Sequence, residues 1–281
     1  MKAFDPRTNR YVMGIINCTP DSFYTGTGQL PTRQEIAATI AQQLRAGADI
    51  LDFGGCSTRP GADSISPEEE WSRLQVGLEV AREVCNELAC KPLISIDTFH
   101  AEVARRAITE YGVGMINDIS AGEADPQMYP LIAESGVSYV AMHMRGTPQT
   151  MTRLTDYTDI ARQVAEELAP RIEQMLQAGI EGHQIVLDPG FGFAKAVEQS
   201  YQLVAGLDHL VALGYPMLVG ISRKSMITKA LNLRKEEALP ATTALHWELL
   251  RQGAAILRVH DVAAARQVVD LFNFYEKHCE Q

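Results

Sequence analysis

Eight short apolar runs recur along the chain. They are YVMGIIN (Tyr11 to Asn17), ADILDFGG (Ala48 to Gly55), PLISIDT (Pro92 to Thr98), GMINDIS (Gly114 to Ser120), SYVAMH (Ser138 to His143), QIVLDPG (Gln184 to Gly190), PMLVGISRK (Pro216 to Lys224) and AAILRVHD (Ala254 to Asp261). Their consecutive apolar positions are the pattern of strands covered on both faces. Between them the apolar residues fall three and four apart, as on helices packed by one stripe. Thr32 and Glu35 make a capping box ahead of Ile36, Ile40 and Leu44, with Gly47 as the stop. Ser66 and Pro67 open a second helix whose Trp71, Leu74 and Leu78 face inward. Ala101 to Tyr111 reads as the third, and Asp125-Pro126 opens a short one that Gly136 closes. Asp159 opens a longer one through Ile160, Val164 and Leu168 to Gly179, where Pro170 predicts a kink. Ser222 to Met226 turns from strand into helix, and Gln199 to Leu213, Pro240 to Gln252 and Val262 to Tyr275 complete the set.

Strand and helix thus alternate eight times in 281 residues. That predicts an α/β fold with a parallel sheet, and the count matches a (β/α)8 TIM barrel, typically about 250 residues long. No linker or shift of composition interrupts the pattern, so residues 1–281 read as a single domain.

In such a barrel the chemistry sits at the C-terminal ends of the strands. Polar residues gather at those ends here: Asn17, Asp97, Asn117, His143, Asp188, Lys224, Arg258 and His260. That placement predicts an enzyme. A carboxylate presents two acceptors to a flat N–H/NH2 edge, and an Asn side chain pairs one donor with one acceptor. Asp97, Asn117 and Asp188 could together clasp an aminopyrimidinone-like ring; the competing reading has each cap a helix or balance an Arg. Asp52 and Asp118 read as structural partners, and His143 as a satisfied core histidine. Lys224 suits an anion, a ring contact or a Schiff base, against the plainer reading of a solvated lysine. Arg258 and His260 alternate along the last strand, so they point the same way and suit a phosphate. The alternative for Arg258 is an ion pair with a core carboxylate such as Asp52. Thr58-Arg59-Pro60-Gly61 and Thr19 to Phe23 read, taken alone, as turns with capping residues.

Composition narrows the class further. The formal net charge of −10 argues against nucleic acid or an anionic membrane as the main partner, yet leaves room for a small anionic substrate bound by a local cluster of Arg59, Lys224 and Arg258. The N-terminus lacks the apolar segment of a signal peptide, and no run reaches the roughly 18 apolar residues of a membrane span. Five cysteines without a CxxC pair argue against a disulfide framework or zinc site and point to a reducing cytoplasm. No GxGxxG, GxxxxGK[ST], GxSxG or HExxH is present.

The segments NCTPDSF, GGCSTRPGA, SIDT, MINDIS, AMHMRGTP, LDPGFGF, VGISRKS and ILRVHDV, in this order, resemble the dihydropteroate synthases across essentially the whole chain. The resemblance implies a (β/α)8 barrel that joins 6-hydroxymethyl-7,8-dihydropterin diphosphate to 4-aminobenzoate and releases pyrophosphate. It implies Mg2+ with Asn17 as ligand, and a pterin held by Asp97, Asn117, Asp188 and Lys224. It sets Thr58, Arg59, Arg258 and His260 toward the diphosphate, with Lys224, Arg258, His260 and Arg59 as the catalytic set. Phe23, Pro60, Ser225 and Phe193 would border the aminobenzoate pocket. A cytoplasmic homodimer and a sulfonamide target are implied as well. Two departures stand out. Thr25 in SFYTGTG replaces an Asp that helps hold magnesium, and Cys56 replaces the Glu of GGESTRPG. The rival readings are a pterin-binding methyltransferase on the same fold, a Schiff-base aldolase using Lys224, and a catalytically silent binding barrel.

Overall fold

The computed structural model describes residues 4–20, 29–59, 61 and 65–279. Phe23, Thr25 and Pro60 therefore lie outside the described residues. The eight apolar runs form β1 (Tyr11–Asn17), β2 (Ile50–Gly54), β3 (Leu93–Asp97), β4 (Met115–Asp118), β5 (Ser138–Met142), β6 (Ile185–Asp188), β7 (Met217–Val219) and β8 (Ala254–Val259). They pair in parallel in chain order, and β8 returns to β1 to close the barrel. The helices are α1 (Arg33–Arg45), α2 (Pro67–Glu87), α3 (Ala101–Tyr111), α4 (Met128–Ser135), α5 (Ile160–Gln177), α6 (Val197–Ala205), α7 (Asp208–Val211), α8 (Ser225–Leu231), α9 (Leu239–Arg251) and α10 (Val262–Cys279).

Local chemistry sets most of these boundaries. Thr32 and Glu35 form the reciprocal capping box of α1, and the Ser66 side chain accepts from the Glu69 amide with Pro67 in the first turn of α2. Gly112 and Gly136 end α3 and α4 in the left-handed conformation that glycine adopts without penalty. Two expectations are corrected. The segment from Gln199 to Leu213 is two helices, because α6 ends at Gly206 before α7 begins. The seventh strand is short, so Lys224 is not a strand end but the N-cap of α8.

Period two divides each strand between two cores. Outward residues pack beneath the helices in two large clusters. Inward ones fill the barrel, where Met13, Ile50, Met115, Val140, Val186 and Leu218 form an apolar plug with Ala255 and Ile256. Two positions further along the strands the inward residues turn polar: Asp52, Ser95, Asn117 and Arg258. Among the described residues no helix is long and apolar enough to cross a membrane.

Candidate active site

The polar layer above the plug is one connected network centred on Asp52, which is fully buried. Ser95 Oγ donates to its Oδ1 at 2.6 Å; Asn117 Nδ2 and Arg258 Nε donate to its Oδ2 at 3.2 and 2.6 Å. The other arm of Arg258 donates from Nη2 to Asp97 Oδ2 at 2.7 Å. The structure therefore places Arg258 in the core-carboxylate pairing and at the same time on the barrel mouth. Burial works against its charge, but Asp52 and Asp97 outweigh that and hold the guanidinium well above its ordinary value. Burial pushes the Asp97 carboxyl up to about 7; Arg258 opposes this, and Asp52 adds to it by like-charge repulsion.

Across the mouth, Asp188 ends β6 and is raised chiefly by burial, with Lys224 opposing. Its Oδ1 accepts the Gly190 amide at 2.7 Å, which sets the carboxylate's orientation. Gly190 has φ +69, and a Cβ there would sit 2.0 Å from the His143 carbonyl, so only glycine fits this close crossing. Lys224 Nζ donates to the Phe191 carbonyl at 2.7 Å and lies 4.8 Å from the Phe193 ring centroid. Burial lowers Lys224 to about 8, against the pull of Asp188.

A cavity of about 140 Å3 adjoins Asp97 and Arg258 and is lined also by Asn17, Thr58, Arg59 and His260. Residues from β1, β2, β3 and β8 thus converge as their strand-end positions imply. His260 is neutral: burial, then Arg258, lower it to about 4. Its Nδ1 lies 3.2 Å from Ser222 Oγ. A second, mostly apolar cavity of about 300 Å3 lies between the loops after β2 and β5, with Ser57, Phe99, Ile119, Met144 and Pro148 in its wall. Cys56 lines both cavities, and its thiol is pushed up to about 11 by burial, then by Glu70 and Asp97. The Gly61 amide donates to the Pro148 carbonyl at 3.1 Å, tying the two loops together. Ser225 opens α8 beside Lys224 and is exposed.

Several members of the site carry more weight than their places in the sequence suggest. Asp52 organises the whole floor, and Ser95 serves it two positions before Asp97, a placement that the strand period alone could have flagged. His143 is buried and carries a chain of partners: its Nε2 lies 2.9 Å from Glu167 Oε2 and its Nδ1 2.9 Å from Lys195 Nζ. Lys195 stands at no strand end and in no motif that would single it out.

Fold and chemistry together define a (β/α)8-barrel enzyme. The chain belongs to the pterin binding enzyme family, whose profile matches residues 13–260. It is 42% identical over 268 residues to a dihydropteroate synthase of Synechocystis, covering 94% of this chain and 90% of the relative. A Streptococcus pyogenes dihydropteroate synthase is 39% identical over 263 residues, with 93% and 94% covered. Among solved structures, the Xanthomonas albilineans dihydropteroate synthase with 4-aminobenzoic acid superposes with a TM-score of 0.85 at 37% identity, covering 96% of this chain and 94% of that one.

Proposed function

We infer that this chain condenses 6-hydroxymethyl-7,8-dihydropterin diphosphate with 4-aminobenzoate, giving 7,8-dihydropteroate and pyrophosphate in folate biosynthesis. The observation that carries the reading is the juxtaposition of two chemistries at one barrel mouth. Asp97, Asn117 and Asp188 offer acceptors and a donor to a flat ring edge, and the cavity of Thr58, Arg59, Arg258 and His260 adjoins them. The relatives support it: one solved Xanthomonas albilineans synthase holds 7,8-dihydropteroate and another 4-aminobenzoic acid.

The chemistry asked of these residues is modest. An arylamine is a neutral nucleophile, so no strong base is required. The demanding event is loss of pyrophosphate from the CH2 group, as the C–O bond breaks before the C–N bond to the amine forms. Arg258, Arg59 and the imidazole of His260 face the charge gathering on the leaving oxygens. Asp97 and Asp188, holding the pterin edge, let the ring share the positive charge left on carbon. The amine gives up its proton to solvent once the new bond is made. This is a dissociative, SN1-like displacement. Phe23, Pro60, Phe193 and Ser225 are proposed to border the aminobenzoate.

Mg2+ is the proposed cofactor. Among the described residues no group of three His, Cys, Asp or Glu could hold a metal. The fit is instead through the hard amide oxygen of Asn17 on the phosphate-side cavity, which suits an ion that keeps waters and takes most of its ligands from substrate phosphates. When bound it would neutralise charge on the diphosphate. We further propose a cytoplasmic homodimer. Leu271, Phe274 and Tyr275 stand exposed on α10, an apolar patch of the sort that subunit contacts cover, and light scattering would test it. The function itself is tested by a coupled pyrophosphate-release assay with both substrates, with and without magnesium. Release stimulated by 4-aminobenzoate and matched by an equal amount of 7,8-dihydropteroate is expected, and release with no dihydropteroate formed would refute the reading.

A further inference from the structure

The loop after β6 has an unusual backbone. Gly190, Ala194 and, between them, Gly192 all have positive φ, at +69, +50 and +79. For glycine this costs little, but Ala194 holds a left-handed conformation that persists only where its surroundings over-determine it. The residue that spans it is Lys195. Its side chain is 8% exposed, and Nζ donates to the Phe193 carbonyl at 2.9 Å, folding back across Ala194. The same ammonium reaches the His143 ring at 2.9 Å and its carbonyl at 3.4 Å.

The far side of that contact is fixed too. His143 Nε2 lies against Glu167, so the imidazole donates there and leaves Nδ1 as the acceptor for Lys195. Burial, then Lys195, keep this imidazole neutral by lowering it to about 4. Glu167 is held in turn by Arg145, whose ring contact with Tyr157 anchors the loop after β5. On the inner side of the 190–194 loop, every group that the site uses depends on loop position. The Gly190 amide orients Asp188, the Phe191 carbonyl accepts Lys224, and the Phe193 ring lies under the same ammonium.

We propose that Lys195 is a positioning residue for pterin binding: by pinning the Phe193 carbonyl to His143 it holds the 190–194 loop so that Asp188 and Lys224 meet the ring edge. The inference rests on the pterin reading of this site. It places Lys195 outside the substrate, acting only through the loop, and so predicts a defect larger for the pterin substrate than for the aminobenzoate, which borders the loop only at Phe193. Loss of the ammonium leaves the diphosphate cavity and the loop after β2 untouched.

The test is Lys195→Met and Lys195→Gln, with pterin diphosphate binding followed by calorimetry and steady-state kinetics for both substrates by pyrophosphate release. For Lys195→Met we expect the Kd and KM of the pterin substrate to rise 10- to 100-fold. Turnover and the apparent affinity for the aminobenzoate substrate, to which the loop contributes through Lys224 and Phe193, should fall as well, but at least threefold less than the pterin affinity. Lys195→Gln keeps a donor for the Phe193 carbonyl without the charge, and a three- to tenfold rise is expected. If Lys195→Met does not fold, Lys195→Gln decides alone. A pterin Kd within twofold of the unaltered protein in a folded variant overturns the proposal. So does a loss that affects both substrates equally and follows the folded fraction. The unaltered protein is the control: if it binds no pterin diphosphate, the functional reading falls and this inference with it. If it binds and the variants bind equally well, only the inference falls.

Discussion

Asp52→Asn isolates the floor of the site from its ligand-facing groups, because Asp52 is fully buried beneath them. The carboxylate accepts from Ser95, Asn117 and Arg258. An asparagine can keep its oxygen toward Asn117 and Arg258 and turn its NH2 toward Ser95, whose hydroxyl also accepts. The shape of the network survives, and what is lost is the charge opposite a guanidinium that retains one carboxylate, Asp97. Converting a charge-assisted bond into a neutral-acceptor bond of this kind costs about 2 kcal/mol. In a domain of this size that lowers Tm by about 4 °C. The effect on Asp97 is the sharper readout. Asp52 raises the Asp97 carboxyl by repulsion, while Arg258 lowers it. Removing the Asp52 charge relieves the repulsion and leaves Arg258 to Asp97 alone, and both changes favour the ionised form. The native enzyme should lose kcat/KM for the pterin substrate as pH falls through about 7, where Asp97 takes up a proton. In Asp52→Asn that acid limb should move to lower pH. The assay is pyrophosphate release across roughly pH 5.5 to 9 at limiting pterin diphosphate and saturating 4-aminobenzoate, a range that brackets the acid limb. An unmoved limb, or one displaced toward higher pH, would refute the electrostatic coupling of the floor to the clasp.

Three further outcomes are expected. Asp188→Asn should cost about 2–4 kcal/mol of pterin affinity by calorimetry, because an amide NH2 would face a donor of the ring; unchanged affinity would remove Asp188 from the site. Lys224→Met should depress turnover, and the native protein treated with borohydride and a carbonyl substrate should gain no mass, although an amine near 8 is basic enough to stay mostly charged yet can react; a trapped adduct would favour the aldolase reading. His246 is buried on α9 with neither ring nitrogen hydrogen-bonded among the described residues, and burial lowers it from 6.5 to about 4. A depressed histidine favours the folded state above pH 6.5 and progressively less as pH falls toward 4, so His246→Leu should be relatively more stable at pH 5 than at pH 7.5 by about 2 kcal/mol; equal Tm differences at both pH values would contradict this.

The element pattern was legible in the chain because it rests on short-range chemistry. Capping residues such as Thr32, Ser66 and Asp159 act within one helical turn. The eight apolar runs must be covered on both faces, and their strand ends carried Asp97, Asn117, Asp188 and Arg258. Once the strands close, period two aims those side chains into the barrel, so the residue types of the site followed from position alone.

What tertiary structure decided is which of those groups hold one another. Arg258 lies 206 residues from Asp52 and 161 from Asp97 in sequence. Nothing local indicates that one guanidinium bridges both, since that depends on the register closing β8 onto β1. The same holds for Lys195, which in the chain is one more lysine before a helix. Its burial beside His143, 52 residues away, comes from the packing of the loop after β6 onto the end of β5. Local periodicity thus determined the inventory of polar groups at the mouth. Barrel closure alone set their ion pairs, their desolvation and the shifted pKa values of Asp97, Lys195 and Lys224, because those depend on distances between strands that the chain brings together only when the sheet is complete.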